Sequence, residues 1–158
     1  HNKLLLYSSF VYVFLIWLLY SILGVIIFKN EILNLKGIIY LGNTLIFSFV
    51  ALTIALFISS VINNKNAISG IVNVFALGQA FLCGAFIPTE YLPDTVLKIA
   101  HILPSYYYIN SNDILSKMEV VNLINIKPVI FNSIILLGIS ILFIILNNVV
   151  SRKKQIVG

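Results

Sequence analysis

Residues able to perform acid–base, nucleophilic or metal chemistry are few in this chain. Its 158 residues include two histidines, one cysteine and five acidic residues, namely His1, His101, Cys83, Glu31, Glu90, Asp94, Asp113 and Glu119. No acidic cluster stands near either histidine, so the ligand sets of catalytic zinc sites are not found in the sequence. A single cysteine excludes an internal disulfide and a cysteine-based metal site, and the phosphate-loop pattern G-x-x-x-x-G-K-[ST] does not occur. We therefore expect no catalytic residue, no metal and no cofactor within the chain.

The other polar groups of interest are amides and hydroxyls embedded in apolar sequence. Small and polar residues recur there at steps of three and four, which places them on one face of a helix. One such face contains Asn66, Ser69, Asn73, Ala76, Ala80, Cys83 and Gly84, and a second contains Thr44, Ser48, Ala51, Ala55 and Ser59. We expect both faces to look into a helical bundle. They serve either close helix packing or a solute path, for which the candidates are Ser48, Ala55, Asn73, Gln79 and Ala80.

Four long segments without any Asp, Glu, Lys, Arg or His must position these residues. They are 4–28, 38–62, 67–87 and 129–150. About 20 apolar residues suffice for a helix to cross a bilayer, so each segment is long enough. With 60% hydrophobic and 9% charged residues, a soluble domain could not bury its apolar surface. The sequence predicts an all-α integral membrane protein with four transmembrane helices.

The distribution of basic residues predicts the orientation of these helices. With four spans, one side of the membrane receives Lys3, Lys65 and the cluster 152–154, all in short segments. The other side receives as many lysines, spread over much longer segments. Because short loops rich in Lys and Arg stay in the cytoplasm, we expect both ends to be cytoplasmic. The net charge of +5 is then a membrane-surface feature, and no nucleic-acid partner is expected.

The segment between the third and fourth spans has its own pattern. Pro88 is expected to stop the third helix, and Pro93 to precede a short amphipathic helix that ends at Pro104. The stretch 105–118 is expected to turn back as a second short helix. Residues 88–118 thus form a predicted external hairpin, either re-entrant or interfacial. Such a hairpin is tolerated at membrane depth where protein or a watery cavity satisfies its backbone.

Two strings in this region resemble the C-terminal signature of ABC-2 type permeases. They are Gly84-Ala85-Phe86-Ile87-Pro88-Thr89-Glu90-Tyr91-Leu92-Pro93 and Ile99-Ala100-His101-Ile102-Leu103-Pro104-Ser105-Tyr106-Tyr107-Tyr108. In that family, a Gly-aromatic-hydrophobic-Pro motif ends the fifth span, a Leu-Pro pair opens a short external helix, and a proline followed by aromatic residues ends it. The four predicted spans are similar to the last four of a six-span permease.

The resemblance implies the membrane subunit of an ATP-driven exporter in the cell membrane. Its implied partners are a separate ATP-binding cassette subunit, which would hold ATP and magnesium, and a second permease subunit. The residues that match the motif, and that would shape the external gate, are Gly84, Phe86, Pro88, Glu90, Leu92, Pro93, Pro104 and Tyr107. Because the chain opens on His1 and its one methionine is Met118, residues 1–158 are expected to be the C-terminal part of such a permease.

The spans favour an external energy source on independent grounds. Ion-coupled transporters place titratable side chains inside their spans, and the four segments contain no carboxylate, His or Lys. Two other classes stay open at this stage. A channel or passive membrane component would need no ATPase, and a membrane-embedded lipid-modifying enzyme would need clustered histidines and acids elsewhere. The exported substrate cannot be named from the sequence.

Overall fold

The computed structural model describes residues 2–157, with side chains for residues 3–154. Within this range the fold is helical and contains no strand. The elements in chain order are α1 (Asn2–Ile27), α2 (Lys29–Ile32), α3 (Leu35–Val61), α4 (Lys65–Leu82), a 3-10 turn (Thr89–Tyr91), α5 (Asp94–Ala100), α6 (Pro104–Lys117) and α7 (Lys127–Val157). The predicted all-α class is confirmed. His1, one of the two histidines, lies outside the described residues.

Three of these helices are long and apolar enough to cross a membrane: Lys3–Ile27, Leu35–Val61 and Lys127–Lys154. They correspond to the segments predicted at 4–28, 38–62 and 129–150. Helix α4 falls outside this set, because its 18 residues include Lys65, Asn66, Asn73 and Gln79.

Helix α3 is the centre of the bundle. It runs antiparallel to α1, since Phe10 lies against Phe49 with ring centroids 5.2 Å apart and Trp17 Nε1 donates to Leu41 O at 3.2 Å. Helix α7 runs parallel to α3. The buried core of this pair consists of Val50, Ile54 and Leu136. The bundle is therefore built around one helix that contacts both other long helices.

The ends of α3 are fixed by local contacts. The Asn34 side chain caps its N-terminus by accepting from Gly37 N at 2.8 Å, which satisfies an amide that the helix leaves unpaired. A Cβ atom at Gly37 would overlap the backbone of Ile32, so only glycine permits the tight corner between α2 and α3. Helix α3 ends at Val61, and the Asn64 side chain caps the start of the next helix, α4, by accepting from Asn66 N at 2.9 Å.

Helix α4 ends earlier than the sequence suggested. We expected Pro88 to stop a helix that continued to residue 87, whereas α4 ends at Leu82. Gly84 adopts a left-handed backbone with φ of 99°, a conformation that side chains strongly disfavour, and it turns the chain out of the helix. The glycine, and not the proline, is the stop signal here.

The two short helices of the predicted hairpin are present as α5 and α6, and α6 packs antiparallel to the first half of α3. Lys36 Nζ donates to Met118 O at 2.8 Å, and Asn43 Nδ2 donates to Tyr108 O at 3.2 Å. Chain order and contacts thus agree: residues late in α6 meet the start of α3, and residues early in α6 meet its middle.

The outer surface of the bundle is apolar. Tyr12, Leu4 and Ile27 of α1 are exposed by 67–72%, and eight apolar residues of α7 are exposed by 46–64%. Exposing so much apolar area to water is unfavourable, whereas hydrocarbon accepts it. The surface therefore fits a protein whose solvent is the lipid bilayer.

Candidate functional site

An apolar cavity of about 300 Å³ lies between α3 and α4, beneath the start of α6. Its walls contain small residues from both helices, which leave the space between the helices unfilled. The residues that line it are Phe47, Val50, Ala51, Ile54, Ala55, Ile58, Val72, Phe75, Ala76, Gln79, Ala80, Ala85, Pro104, Ser105, Tyr108 and Ile109. Ala51, Ala76 and Ala85 are the exposed residues of this lining, so the cavity opens beside them.

Gln79 and Ser105 form a polar contact in the wall of this cavity. The side-chain oxygen Oε1 of Gln79 accepts from Ser105 Oγ at 2.9 Å and from Ser105 N at 3.2 Å. Both residues are buried, with exposures of 7% and 8%. Ser105 N is one of the amides that the first turn of α6 leaves without a helical partner. The Gln79 side chain therefore acts as the cap of α6 and joins it to α4.

A second polar contact fixes α6 to α3. Asn43 Nδ2 donates to Asn112 Oδ1 at 2.9 Å and to Tyr108 O, and Tyr40 Oη donates to Asn112 O at 3.0 Å. The rings of Phe47 and Tyr108 stack with centroids 4.4 Å apart. Asn43 is 3% exposed, and its Oδ1 is enclosed without a hydrogen-bond partner. Amides in an apolar bundle are stable where they are paired, and here they pair α3 with α6.

A third contact joins α6 to α7. Asn132 Nδ2 donates to Asn110 Oδ1 at 2.9 Å and to Ser111 Oγ at 3.1 Å. Ser111 is fully buried. Helix α6 is thus held by side-chain hydrogen bonds on three sides, by α3, α4 and α7.

The first motif residues form the turn after α4. A Cβ atom at Gly84 would lie 2.8 Å from Thr89 Cγ2, which is closer than real Cβ contacts, so the close packing of this turn also requires glycine. Phe86 lies against Phe81 of α4, with ring centroids 4.8 Å apart. Phe86 is 60% exposed and so points out of the bundle.

Pro88, Glu90, Leu92 and Pro93 set the path of the chain into α5. Pro88 precedes the 3-10 turn and Leu92 follows it, while Pro93 precedes α5, where its fixed φ suits a helix start. The Glu90 carboxylate lies 3.6 Å from Lys117 Nζ, with both side chains more than 70% exposed. Glu90 lies in the first turn of the 3-10 helix and makes no side-chain cap there. Its ion pair is solvent-exposed and so contributes little stability.

Pro104 and Tyr107 define the turn between α5 and α6. Pro104 is buried and occupies the first turn of α6, where the lack of an N–H is harmless. Tyr107 Oη donates to His101 O at 2.7 Å, and the rings of His101 and Tyr106 lie 4.1 Å apart. The aromatic residues after Pro104 therefore close the hairpin on itself.

The predicted path residues separate into two groups. Ala55, Gln79 and Ala80 line the cavity. Asn73 is exposed and lies outside it, six residues from Gln79 and hence on another face of α4. Ser48 returns its hydroxyl to Thr44 O at 2.8 Å and does not line the cavity. The structure therefore brings together three of the five.

The predicted inward orientation of the α4 face is wrong for its first half, residues 66–73, whereas Ala76 and Ala80 of the same face line the cavity. Asn66, Ser69 and Asn73 are exposed, and Cys83 alone on that face is fully buried. The face of α4 turned toward α3 is instead that of Val72, Phe75 and Gln79 together with Ala76. Steps of three and four identified a face correctly, but they did not fix its rotation relative to α3.

The residues that the sequence did not single out are Asn43, Ser105, Asn112 and Asn132. Each belongs to a contact that holds α6. An amide within an apolar run was the available signal for Asn43 and Asn132, because such a group needs a partner. Ser105 and Asn112 lie in mixed sequence that offers no comparable signal.

The chemistry available at the site is hydrogen bonding and apolar contact. Among the described residues, no three His, Cys, Asp or Glu side chains gather closely enough to hold a metal ion. The hydrogen bonds that Gln79, Asn43 and Asn132 make to α6 join amide, hydroxyl or backbone groups. Such groups bind and orient molecules and hold helices, and they do not transfer protons near neutral pH.

Comparison with known proteins identifies the chain at the family level. No curated protein and no solved structure shows significant similarity to it. The family described as ABC-2 type transporter matches residues 5–115, a range that includes α1, α3, α4, the cavity and most of α6. This confirms the family that the motif strings resembled. The chain therefore belongs to the ABC-2 type transporter family and is a membrane permease component.

Proposed function

We propose that this chain is the membrane subunit of an ATP-driven exporter and works with an ATP-binding cassette subunit that holds ATP and magnesium. Membership of the ABC-2 type transporter family supports this. The spans have no carboxylate, His or Lys with which to couple transport to protons or ions, so the energy must enter from another subunit.

Helix α4 is the fourth span in this proposal, together with the turn that follows it. It connects the end of α3, at Asn63, with the hairpin at the opposite end of the bundle. Lys154 Nζ donates to Asn63 Oδ1 at 2.7 Å, so the α3–α4 loop and the end of α7 lie at one end. The basic residues there favour the cytoplasm, and the protein would lie in the cell membrane with both described ends inside.

Helices α5 and α6 form a re-entrant external gate in this proposal. Along α3, the partners of α6 extend from Lys36 to Phe47, a rise of about 17 Å at 1.5 Å per residue. The turn at Pro104 would then sit well inside the bilayer, roughly half its hydrocarbon thickness from the outer surface. The bonds from Gln79, Asn43 and Asn132 satisfy the polar groups that such depth requires to be paired.

The exposed face of α4 is where a second permease subunit would pack. Asn66, Ser69 and Asn73 are small or polar, are uncovered in one copy, and sit on a helix that also touches the hairpin. When ATP draws the cassette subunits together, we expect α4 to move relative to α3. That movement would act on α6 through the Gln79–Ser105 contact, which is the observation that supports the gating proposal most directly.

The test is export by the purified pair in vesicles. Co-purification with the cassette subunit, followed by ATPase stimulation across a panel of drugs, peptides, lipids and saccharides, would identify the substrate class. Ala80→Leu and Gly84→Leu should impair export without preventing membrane insertion, and Val74→Leu, on the lipid side of α4, should not impair it. Transport that persists without the cassette subunit would favour a channel, and lipid turnover by the purified chain would favour an enzyme. Normal export by both Ala80→Leu and Gly84→Leu would contradict the proposed role of α4.

A further inference from the structure

The cavity between α3 and α4 has one polar group that is still free to bind. Both hydrogen bonds made by the Gln79 side chain use Oε1, and within the described residues its amide nitrogen Nε2 has no partner. Asn43 Oδ1 is the one described side-chain polar atom that is both fully enclosed and unpaired, so Gln79 Nε2 must reach open space. The open space against Gln79 is the cavity. Gln79 is only 7% exposed, and the two N–H groups of its amide are the donors that this apolar chamber can offer to a ligand.

From this arrangement we propose that the cavity binds an uncharged, largely apolar molecule whose carbonyl, ester or ether oxygen accepts a hydrogen bond from Gln79 Nε2. The site lies within one copy of the chain, so its occupancy can be tested separately from ATP-driven export. It is also distinct from the exposed face of α4 that includes Asn73.

The lining sets the chemical class of the ligand. None of the described lining residues is Asp, Glu, Lys, Arg or His, so a charged group would be buried without a partner, which is strongly unfavourable. A pure hydrocarbon would leave the Gln79 donors unpaired. An acceptor oxygen on an apolar body satisfies both conditions.

The shape of the cavity limits the size of the ligand. A volume of about 300 Å³ is at the low end of the range for small-molecule sites. The exposed Ala51 and Ala76 lie where the cavity opens, and Gln79 and Ser105 are buried in its wall, so the ligand binds with its polar oxygen toward Gln79. A slender alkyl chain ending in an ester fits this description, and it can belong to a bilayer lipid or to a transported solute.

Photolabelling with matched probes tests the proposal. Three diazirine probes share one alkyl chain and end in a methyl ester, a methyl group or a carboxylate. The full-length protein is labelled with each probe in phospholipid vesicles, and the labelled residues are mapped by mass spectrometry. Labelling of α1, whose outer surface faces lipid, corrects for partitioning. We expect the ester to label the cavity walls of α3 and α4 about fivefold more than the hydrocarbon, the ratio expected for one added hydrogen bond. We expect the carboxylate to label them least.

Two variants separate cavity binding from lipid contact. Ala55→Phe fills the cavity without touching the Gln79–Ser105 bonds and should abolish ester labelling of the walls. Val74→Phe adds the same ring on the outside of α4, where Val74 is 72% exposed, and should leave labelling unchanged. Gln79→Met should remove the preference for ester over hydrocarbon. Reactivity of the buried Cys83 thiol toward a maleimide reports whether each variant is folded. If Gln79→Met is not folded, the comparison of ester and hydrocarbon probes in the wild type still tests the proposal.

Analysis of the purified protein distinguishes a bilayer lipid from a transported solute as the source of the ligand. A lipid found by mass spectrometry in the wild type and lost in Ala55→Phe assigns the site to bilayer lipid. Ester labelling without co-purified lipid, which falls when ATP is added to the complex with its cassette subunit, assigns it to a transported solute. Equal ester and hydrocarbon labelling in the wild type, or ester labelling that survives in Ala55→Phe, would overturn the proposal.

Discussion

Gln79 Oε1 accepts two hydrogen bonds from a single residue, Ser105, whose hydroxyl and backbone amide lie 2.9 and 3.2 Å away. The two residues are 26 positions apart in the chain. This pair makes one side chain of α4 the N-terminal cap of α6. The position of the hairpin is therefore linked to the position of α4, and the side-chain oxygen of Gln79 is fully used in this contact.

Replacing Gln79 by Leu should destabilise the protein. The change leaves Ser105 N and Oγ buried without an acceptor, an effect of about 1–3 kcal/mol. Thermal unfolding in detergent measures this loss of stability. The reaction of Cys83 with a fluorogenic maleimide monitors the unfolding, because Cys83 is the one cysteine and is fully buried. Asn148→Leu removes an exposed amide and should change stability by no more than about 0.5 kcal/mol. Equal effects of the two changes would contradict the capping role.

Gly84→Ala should destabilise the turn after α4. An alanine at φ of 99° is strained by about 1–2 kcal/mol, and its Cβ would press on Thr89 Cγ2. Adding Thr89→Ser relieves the contact but not the backbone strain, so the double variant should recover part of the loss. Gly78→Ala is the matched control, because nothing lies within 4 Å of a Cβ there and helix propensity then favours alanine by up to about 1 kcal/mol. The same unfolding assay should show opposite signs for the two glycines.

Asn43 and Asn112 should be energetically coupled. Their side chains share a hydrogen bond of 2.9 Å across 69 positions, and such bonds between membrane helices contribute about 0.6–1.7 kcal/mol. A double-mutant cycle with Asn43→Ala and Asn112→Ala should return a coupling of that size. The cycle of Asn43→Ala with Asn148→Ala should be additive. Additivity in both cycles would show that α6 is held to α3 by other contacts.

Asn63 and Lys154 should be accessible from the same side of the membrane. Their side chains meet at 2.7 Å, and Glu90 lies at the other end of the bundle with Lys117. Single cysteines at these three positions, in a Cys83→Ala background, can be probed with a membrane-impermeant maleimide on intact cells. Glu90→Cys should react from outside, and Asn63→Cys and Lys154→Cys only after permeabilisation. Reaction of the last two from opposite sides would exclude the topology.

Much of the fold was predictable, because the uncharged runs mark where helices form. The bounds of α1 and α3 lie within three residues of the predicted ones, whereas α7 continues seven residues past its predicted end at residue 150. Pro93 correctly indicated the start of α5, and Pro104, which was predicted to end that helix, begins α6. The end of α4 was not predicted correctly. Gly84 and Pro88 are both stop signals, and only the packing of Thr89 against Gly84 shows which one the chain uses.

The candidate site was less predictable. Gln79, Ala55 and Ala80 were candidates for either a solute path or helix packing, and they line the cavity. Asn73 was grouped with them and lies elsewhere. Periodicity reports which residues share a face, and it says nothing about the rotation of that face against a neighbouring helix. Ser105 became part of the site because the hairpin folds back onto α4.

The sequence by itself determined the solvent and the family of this protein. Uncharged runs of this length are stable in hydrocarbon and not in water, and the glycine- and proline-bounded strings match a permease signature. Only the tertiary structure decided which polar groups are paired. Hydrogen bonds such as Gln79 to Ser105 and Asn43 to Asn112 join residues far apart in the chain, and their formation depends on how α6 lies among α3, α4 and α7. The free amide nitrogen of Gln79 in the cavity wall is a consequence of that packing, because Ser105 occupies the neighbouring oxygen.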